Sequence, residues 1–472
     1  MPQLQDLASI VPLALLQAAG VPSASIAVLS GGTVETHVLT KSSEDTETIY
    51  QSCSISKAIT GIAVAKLIDQ GRLTYDTLIS DHLPARVLDL ITTDKTRPIL
   101  SAVTVGTIVS HTSGLSQGGF SGYVGEVPTV EQILAGTAPA NTPQIHFNSF
   151  PGAQFAYSGG GWTVLQLLLE NLVSKPFAEI MQELVLGPLK MTRSHYGPLP
   201  KGETNYAKAH LTAEVEARAP YHELPELAAA GLWTTPSDLL KAIAAIQHSL
   251  VSDDGFLTRA TAQKLLTPIM NAGAGRGDIA HGFFVTDATF GHSGGNDPGY
   301  RTYFMGSHGS TSLPSDIGIA IFTNSVIGFE AIEKLLPAIF HLKGRPYQKV
   351  LCGYSPVEAY VPYALNSSLQ SKDAESTWKT WEGQWDGGWN IVSAKAADGE
   401  RPTLAFRDLH AMPLLPGAGP VQSLEAGREI LLVADSLDIS IRLTWNDEGE
   451  RIVKIMQTGV GSDLKTLQRS IS

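Results

Sequence analysis

The chain has 472 residues and a net charge of −12 at pH 7, with 43% hydrophobic and 17% charged residues. This length allows two or three folding units, and the composition is that of a compact globular protein. The acidic charge argues against nucleic acid and anionic membrane as partners, because their phosphates attract Lys and Arg. The two cysteines, Cys53 and Cys352, form no disulfide framework or metal pattern, so we expect buried thiols.

The N-terminal stretch 1–23 has an apolar middle but lacks a basic region and a clear small-residue cleavage site. This pattern predicts an amphipathic helix rather than a signal peptide. The sequence has no run of 18 or more apolar residues, which a membrane-spanning helix requires. We therefore expect a cytoplasmic protein.

The regular elements of the first 345 residues can be predicted from hydrophobic spacing. Residues 23–40 predict a β-hairpin turning at Gly31-Gly32, and Ile55–Asp69 has the apolar spacing of a helix. Further helices are predicted over 104–111, 161–174, 176–186, 236–248 and 329–342. The apolar run 316–325 predicts a central strand. A hairpin, a helical middle and later strands indicate an α+β fold whose sheet joins both ends of this region.

The composition changes after residue 345. Five of the seven tryptophans lie near the C-terminus, namely Trp378, Trp381, Trp385, Trp389 and Trp445. Residues 429–459 alternate with a period of two around a predicted hairpin loop at 446–449. We predict a first domain over 1–345 and a mostly antiparallel β accessory domain over 346–472, with a linker near 343–356. Its tryptophans are expected in a barrel core rather than a ligand stack.

Polar residues stand at the start of the apolar 55–69 helix. Residues three apart share a helix face, so Ser54 and Lys57 point the same way and Ser56 does not. A serine needs a base to become a nucleophile, and a lysine is a base only when its pKa is lowered, as burial does. The pattern alone is common and equally fits an N-cap serine beside a solvated lysine. Cys53 is a weaker rival nucleophile, because no His or Asn is visibly placed to activate it.

Two distant segments support a reactive serine. Tyr157 lies in a Gly-rich loop directly before a predicted helix, where a phenol can shuttle a proton if cations lower its pKa. The segment His292-Ser293-Gly294-Gly295 predicts a strand edge that a substrate can approach closely. A free N–H at such an edge can donate to an oxyanion.

In this order and spacing, the three segments resemble the motifs of the serine β-lactamase and penicillin-binding-protein superfamily. The closest similarity is to its class C β-lactamase and family VIII esterase-like branch. The matches are Ser54 and Lys57 for Ser-x-x-Lys, Tyr157 for Tyr-x-Asn with Gly159 in place of Asn, and His292-Ser293-Gly294 for Lys-Thr-Gly or His-x-Gly. The stretches 108–115 and 231–243 are also similar, so the resemblance covers about residues 10–345.

The resemblance implies a β-lactamase-like α+β fold, an antiparallel sheet flanked by helices with an all-helical subregion, followed here by the small barrel-like, lipocalin-like C-terminal domain. It also implies that Ser54 forms an acyl-enzyme, that Lys57 and Tyr157 move protons, and that the N–H groups of Ser54 and Gly295 form an oxyanion hole. The other residues assigned to the site are His292 as part of the catalytic set, and Ser293, Gly294, Gly159 and Trp233 around the substrate. No metal or organic cofactor is implied.

Several assignments keep a structural alternative. Trp233 fits the core as well as the rim of the site. His111 fits a turn after a helix better than a catalytic role. Arg301 fits a salt bridge better than a site for a substrate carboxylate.

Two departures from the family pattern bear on activity. Gly159 cannot supply the amide that Asn gives, and His292 removes the fixed positive charge of a Lys. Both favour an esterase or a D-amino-acid peptidase or amidase acting on a small molecule, with weak or absent β-lactamase activity. The alternatives are an acyltransferase that passes the acyl group to a small alcohol or amine, and a non-catalytic binding protein that retains the fold.

Overall fold

The fold is described from a computed structural model. The described residues are 16, 20–40, 42–273, 275–310, 313–345, 364–365, 378–396, 399–418, 430–434, 437, 439–445, 451–457 and 465–469. Four predictions, namely most of the N-terminal helix, much of the linker near 343–356, Cys352 and the hairpin loop at 446–449, lie outside the described residues. Within the described part, no helix is long and apolar enough to cross a membrane.

The α-helices of the described residues are α1 (Ile55–Asp69), α2 (Ala85–Ile91), α3 (Val105–Val109), α4 (Val130–Ala135), α5 (Gly159–Val173), α6 (Phe177–Met181), α7 (Leu227–Ala230), α8 (Pro236–Val251), α9 (Arg259–Leu265) and α10 (Gly328–Leu342). Short 3₁₀ turns span Ile79–Asp81, Arg97–Ala102, Trp378–Trp381 and Asp386–Gly388, and a π turn spans Gln182–Leu186. The predicted helices are confirmed with shifted ends. Helices α2, α4, α7 and α9 were not predicted, because helices of four to seven residues depend on packing more than on their own sequence.

The strands of the first part are β1 (Ser23–Ser30), β2 (Thr33–Thr40), β3 (Tyr50–Gln51), β4 (His195–Tyr196), β5 (His210–Thr212), β6 (Val215–Glu216), β7 (Leu232–Thr234), β8 (Met270–Asn271), β9 (Asp278–Ile279), β10 (Phe284–Val285), β11 (Thr289–Asn296), β12 (Tyr300–Ser307) and β13 (Ile317–Thr323). Those of the second part are β14 (Ala364–Leu365), β15 (Gly383–Trp385), β16 (Trp389–Ala396), β17 (Gly399–Phe406), β18 (Met412–Ala418), β19 (Ile430–Ala434), β20 (Ile439–Trp445), β21 (Arg451–Gln457) and β22 (Lys465–Leu467).

The main sheet has eight strands in the order β2-β1-β13-β12-β11-β10-β9-β8. The β1–β2 hairpin pairs antiparallel with β13, so that Ala24 lies opposite Thr323 and the two ends of this region meet as predicted. Strand β13 is buried along its whole length, with α8 packed against it and α10 against the neighbouring β12. This burial explains its uninterrupted apolar sequence.

Helix α1 is the central helix of the fold. Twelve of its fifteen residues are buried, so it has no solvent-facing stripe. It contacts α7, α9 and β11, and its first turn faces the main sheet. A polar side chain at the start of α1 is therefore removed from bulk water, which sets the chemistry of the site described below.

The second sheet runs from β15 through β22 in sequence order, with β14 paired to β18. Its two ends approach each other, because Trp385 and Arg469 form a β-bridge and Asp386 N donates to Gln468 O (2.8 Å). This contact joins the two ends of the sheet at one point, while a closed barrel stays a prediction. Trp381, Trp385 and Trp389 are at most 3% exposed, in agreement with a core role. The division into two domains at residue 345 stays a prediction.

Candidate active site

The first turn of α1 places Ser54 beside Lys57. Lys57 Nζ donates hydrogen bonds to Ser54 Oγ (3.2 Å) and to Ala229 O of α7 (2.8 Å). Lys57 is 2% exposed, whereas Ser54 is half-buried and reachable from solvent. Burial lowers the pKa of Lys57 to about 7, so a large fraction of the amine is neutral at neutral pH. The pair therefore has the distance and the protonation state that a serine nucleophile and its base require.

The neighbouring residues Ser56 and Cys53 have structural roles. Ser56 Oγ donates to Cys53 O (2.6 Å) and accepts from Leu232 N (3.0 Å), so the hydroxyl is buried and satisfied. Cys53 is buried, and burial raises the pKa of its thiol to about 12, which keeps it protonated. Cys53 also takes a left-handed backbone conformation (φ 56°), which turns the chain immediately before Ser54.

Tyr157 reaches the same place from the start of α5. The Lys57 Nζ atom lies 5.0 Å from the centre of the Tyr157 ring. Burial raises the pKa of Tyr157 above its usual value, although a hydrogen bond with Ser54 acts in the opposite direction. The condition that we set for a proton shuttle, a Tyr157 pKa lowered by cations, is therefore not met. Tyr157 is a neutral phenol that can donate or relay a proton, while Lys57 is the stronger candidate for the base.

The His111 ring packs against one face of the Tyr157 ring. The two rings are stacked with centroids 4.2 Å apart and an angle of 23° between their planes. His111 Nδ1 accepts a hydrogen bond from Ser158 N (2.9 Å), which fixes the ring. Burial, with Lys57 and His292 nearby, holds the pKa of His111 well below its usual value, so the ring is neutral. The turn that we predicted at His111 is present, but its contact with Tyr157 could not be predicted from the sequence.

The glycines of β11 bring this strand against the start of α1. A Cβ atom on Gly294 would lie 2.6 Å from Cys53 Cβ and 2.8 Å from Ser52 O, so only glycine fits there. The absence of side-chain atoms lets the β11 backbone pack directly on the turn that precedes Ser54. This close contact lies within the protein, and the predicted approach of a substrate to the segment stays a prediction.

The outer edge of β11 offers an N–H group to the site. Among the described residues, β10 covers β11 only as far as Gly291, leaving His292–Asn296 without a strand partner on that side. In the turn before β11, Thr286 N donates to Thr289 O, so the backbone groups of Thr289 face the β10 side. Because the N–H and C=O groups of successive residues alternate in direction along an antiparallel strand, those of the other odd-numbered residues of β11 face the same side. The N–H of the exposed Gly295 is thus available to an oxyanion.

His292 and Ser293 lie on the same strand but do not offer a charge. His292 is 1% exposed, and its Nδ1 bonds with Ser293 O. Burial and the nearby Lys57 lower the pKa of His292 to about 3, so it is neutral at neutral pH. Its Nε2 atom is buried without a hydrogen-bond partner among the described residues. Ser293 is 5% exposed, so its hydroxyl has little surface for a substrate.

The position of Gly159 explains the missing Asn of the family pattern. Gly159 is the first residue of α5, and a Cβ atom there would lie 2.8 Å from Phe120 Cε2 and 3.1 Å from Gly118 O. The loop around Phe120 therefore occupies the space that an Asn side chain would need. Sequence reasoning could not find Phe120, because nothing in its local pattern links it to Gly159.

Two other residues considered from the sequence, Trp233 and Arg301, make structural contacts. Trp233 is 3% exposed and packs among aromatic rings, namely Tyr206, Tyr221, Tyr300 and His195. This packing favours the core interpretation of Trp233. Arg301 donates to Asn296 O (3.1 Å) and Tyr300 O (2.8 Å), so it braces the β11–β12 hairpin. Within the described part of the chain it does not form the expected salt bridge.

The comparisons with known proteins identify the family of the chain. The family model described as Beta-lactamase matches residues 13–340. Protein flp of Staphylococcus aureus is 26% identical over 236 residues, which cover 47% of this chain and 43% of Protein flp. The chain therefore matches less than half the length of this curated relative.

Solved structures share the fold at low sequence identity. The octameric penicillin-binding protein homologue from Pyrococcus abyssi is 20% identical with a TM-score of 0.57, covering 98% of this chain and 99% of that one. The D-amino acid amidase from Ochrobactrum anthropi is 16% identical with a TM-score of 0.57, covering 72% of this chain and 100% of the amidase. With the Beta-lactamase model matched over most of the chain, this protein belongs to the β-lactamase family.

Proposed function

We propose that this protein is a serine acyl-transfer enzyme that hydrolyses a small-molecule ester or amide through an acyl-enzyme on Ser54. The observation that carries the proposal is the pair formed by Ser54 Oγ and the buried Lys57 amine at 3.2 Å, with a lysine pKa of about 7. A buried lysine with a lowered pKa and a reachable hydroxyl beside it are what nucleophilic catalysis needs.

In the proposed acylation step, neutral Lys57 takes the Ser54 proton while Oγ attacks the substrate carbonyl carbon. The negative charge that develops on the carbonyl oxygen is stabilised by the N–H groups of Ser54 and Gly295. Tyr157, which remains a neutral phenol, donates a proton to the departing alcohol or amine and recovers one from Lys57. Water then attacks the acyl-enzyme, and the same groups act in reverse order.

Two features support weak activity toward β-lactams. The position of the family Asn is filled by Phe120, which removes an amide from the site. Neutral His292 supplies no positive charge for the carboxylate that penicillins and cephalosporins carry. A neutral ester or amide needs no such charge, so we propose that the natural substrate lacks a carboxylate next to the reacting carbonyl.

The fold relative described as a D-amino acid amidase suggests the first amides to test. We propose D-amino-acid amides and short-chain esters as the two substrate classes to compare. In the same assay, an added alcohol or amine would show transfer as a new ester or amide product, and nitrocefin would report β-lactam cleavage. We expect measurable ester cleavage and little nitrocefin turnover; rapid nitrocefin hydrolysis would contradict this preference.

The test of the nucleophile is mass spectrometry after exposure to a fluorophosphonate probe. We expect one adduct on the peptide that contains Ser54, and no adduct in Ser54→Ala. The matched control is Ser56→Ala, which removes a nearby hydroxyl and should leave labelling intact. Absence of any adduct on the wild-type protein would refute the proposed enzyme, and an adduct that persists in Ser54→Ala would move the reaction to Cys53 or Ser56.

A further inference from the structure

A second cavity lies away from the candidate active site. It has a volume of about 550 Å³, which is within the range of small-molecule pockets. Its wall includes Ile68 near the C-terminal end of α1, fourteen residues beyond Ser54, or about 20 Å at the rise of an α-helix. Ser54, Lys57 and Tyr157 do not line it. A molecule bound there would leave the nucleophile free.

The cavity is built by both sheets of the protein. Most of its wall comes from the first part, including the segments around Tyr75 and Thr104 and helix α9. Arg407 enters it from the turn after β17 of the second sheet. Arg407 has a left-handed backbone conformation (φ 53°), and its N–H donates to Gly388 O, so the turn that presents the guanidinium is fixed.

The charges around the cavity favour an anion. Its ionisable wall residues are Asp76, Lys264, Arg407, Tyr75 and His281. Neither cation has a carboxylate partner among the described residues, and Asp76 is the one acidic residue in the wall, so the wall itself carries one net positive charge. The Asp69 carboxylate also acts on Tyr75, but it accepts hydrogen bonds from Thr258 N and Oγ1. Burial lowers the pKa of His281 to about 4, so its ring adds no charge at neutral pH. This positive site stands out in a protein of net charge −12.

The remaining wall suits an organic molecule with a flat ring. The rings of Tyr75 and His281 are stacked with their centroids 3.6 Å apart, and His281 is buried behind the half-buried Tyr75. The accessible part of the Tyr75 ring is therefore the aromatic surface of the cavity. Ile269 and Met270 add apolar area next to it. The Tyr75 hydroxyl is buried and has no hydrogen-bond partner among the described residues, so a donor is available to an acceptor on the ligand.

From this combination, we propose that the cavity is a second binding site, which takes a small aromatic anion such as an arylcarboxylate. Its carboxylate would lie between Lys264 and Arg407, and its ring against the aromatic surface. The proposal does not depend on the activity of Ser54, because the two sites share no residue.

The test is isothermal titration of the full-length protein with benzoate and with benzamide, its uncharged counterpart. We expect saturable benzoate binding and at least tenfold weaker binding of benzamide. Lys264→Met and Arg407→Asn should each weaken benzoate about threefold, and together about tenfold, as partly exposed charges do. Both side chains are exposed, and Asn tolerates the left-handed conformation of residue 407, so both variants should fold.

The matched control is Asp76→Asn, which should tighten benzoate binding about threefold because it removes the carboxylate that lines the cavity. Weaker benzoate binding in Asp76→Asn would overturn the proposal that the ligand is an anion. Equal affinity for benzoate and benzamide would overturn it as well. Absence of saturable binding up to about 10 mM benzoate would overturn the site itself. If the benzoate affinity is unchanged in both Lys264→Met and Arg407→Asn, the ligand binds elsewhere, for example beside Ser54. That result would also overturn the proposal.

Discussion

Ser54 and Ser158 occupy the same position, the N-cap, in the two helices that meet at the candidate site. Ser158 has an extended backbone (φ −135°, ψ 106°), accepts a hydrogen bond from Gly161 N and donates one to Ser116 O. Ser54 has a helical backbone (φ −65°, ψ −9°) and makes no side-chain capping bond. One hydroxyl is used by the helix, and the other is left to Lys57. The backbone conformation, rather than the residue type, separates a structural serine from a reactive one.

The turn at Cys53 is the physical origin of this difference. A left-handed conformation at a residue other than glycine costs of order 1–2 kcal/mol. Here it lets the chain enter α1 with Ser54 already helical, so the side chain points along the face of Lys57 instead of back over the helix end. The strain is therefore located directly before the proposed nucleophile.

The largest expected effect separates the two serines by activity. In Ser54→Ala we expect kcat/KM for a p-nitrophenyl ester to fall by at least about 10⁴-fold, because the group that forms the acyl-enzyme is removed. In Ser158→Ala we expect less than about a tenfold loss, because Ser158 only holds the helix that follows Tyr157. Comparable losses in the two variants would mean that Ser54 is not the nucleophile.

The pH dependence tests the proposed base. A lysine base acts only when deprotonated, so kcat/KM should fall about tenfold for each pH unit below the Lys57 pKa of about 7 and level off above it. His292, with a pKa lowered to about 3, and His111, whose pKa is also lowered, do not titrate near pH 7. Burial also raises the pKa of Glu226 to about 8, so a transition near 7 is assigned to Lys57 only if a Lys57 variant removes it.

The matched variant for this profile is Lys57→Arg. Arginine stays protonated at every accessible pH, so we expect low activity without a rise near pH 7. A flat wild-type profile between pH 5 and 9, or an unchanged profile in Lys57→Arg, would assign the base to another group.

The start of α5 can also be altered at Gly159. Gly159→Asn restores the family residue but forces its side chain into Phe120, and we expect a loss of about 1–3 kcal/mol in the free energy of unfolding. Combined with Phe120→Ala, the same change should cost less than the sum of the two single variants. Urea unfolding of all four proteins measures this coupling. Additive costs would show that Phe120 does not fill the Asn position.

Much of the fold and the pairing of Ser54 with Lys57 could be predicted from the sequence. The hairpin at 23–40, the central strand at 316–325 and helix α1 were predictable because their hydrophobic spacing is long and regular. Ser54 and Lys57 were predictable as a pair because one helical turn brings them to one face. The two distant segments that supported this pair also lie beside it in the structure: Tyr157 is near Lys57, and the glycines of β11 pack on the turn before Ser54.

The contacts that tune the site could not be predicted. The stacking of His111 on Tyr157 and the filling of the Gly159 position by Phe120 join residues distant along the chain. The sequence also left the Tyr157 pKa open, and burial of the phenol raises it, so the condition of a pKa lowered by cations is not met. Such effects depend on how deeply a group is enclosed, which a motif does not specify.

The smallest expected effect returns to the two serines and concerns stability alone. Ser158→Ala removes the acceptor of Gly161 N and the donor to Ser116 O, and Ser158 is buried, so we expect unfolding to become easier by about 1–2 kcal/mol. Ser54→Ala removes no capping bond from a half-buried position, and we expect a change below about 0.5 kcal/mol. Urea denaturation of both variants, followed by circular dichroism, gives the two values under one condition. A larger cost for Ser54→Ala than for Ser158→Ala would mean that Ser54 stabilises α1 after all, and that its free hydroxyl is not what distinguishes the two helix starts.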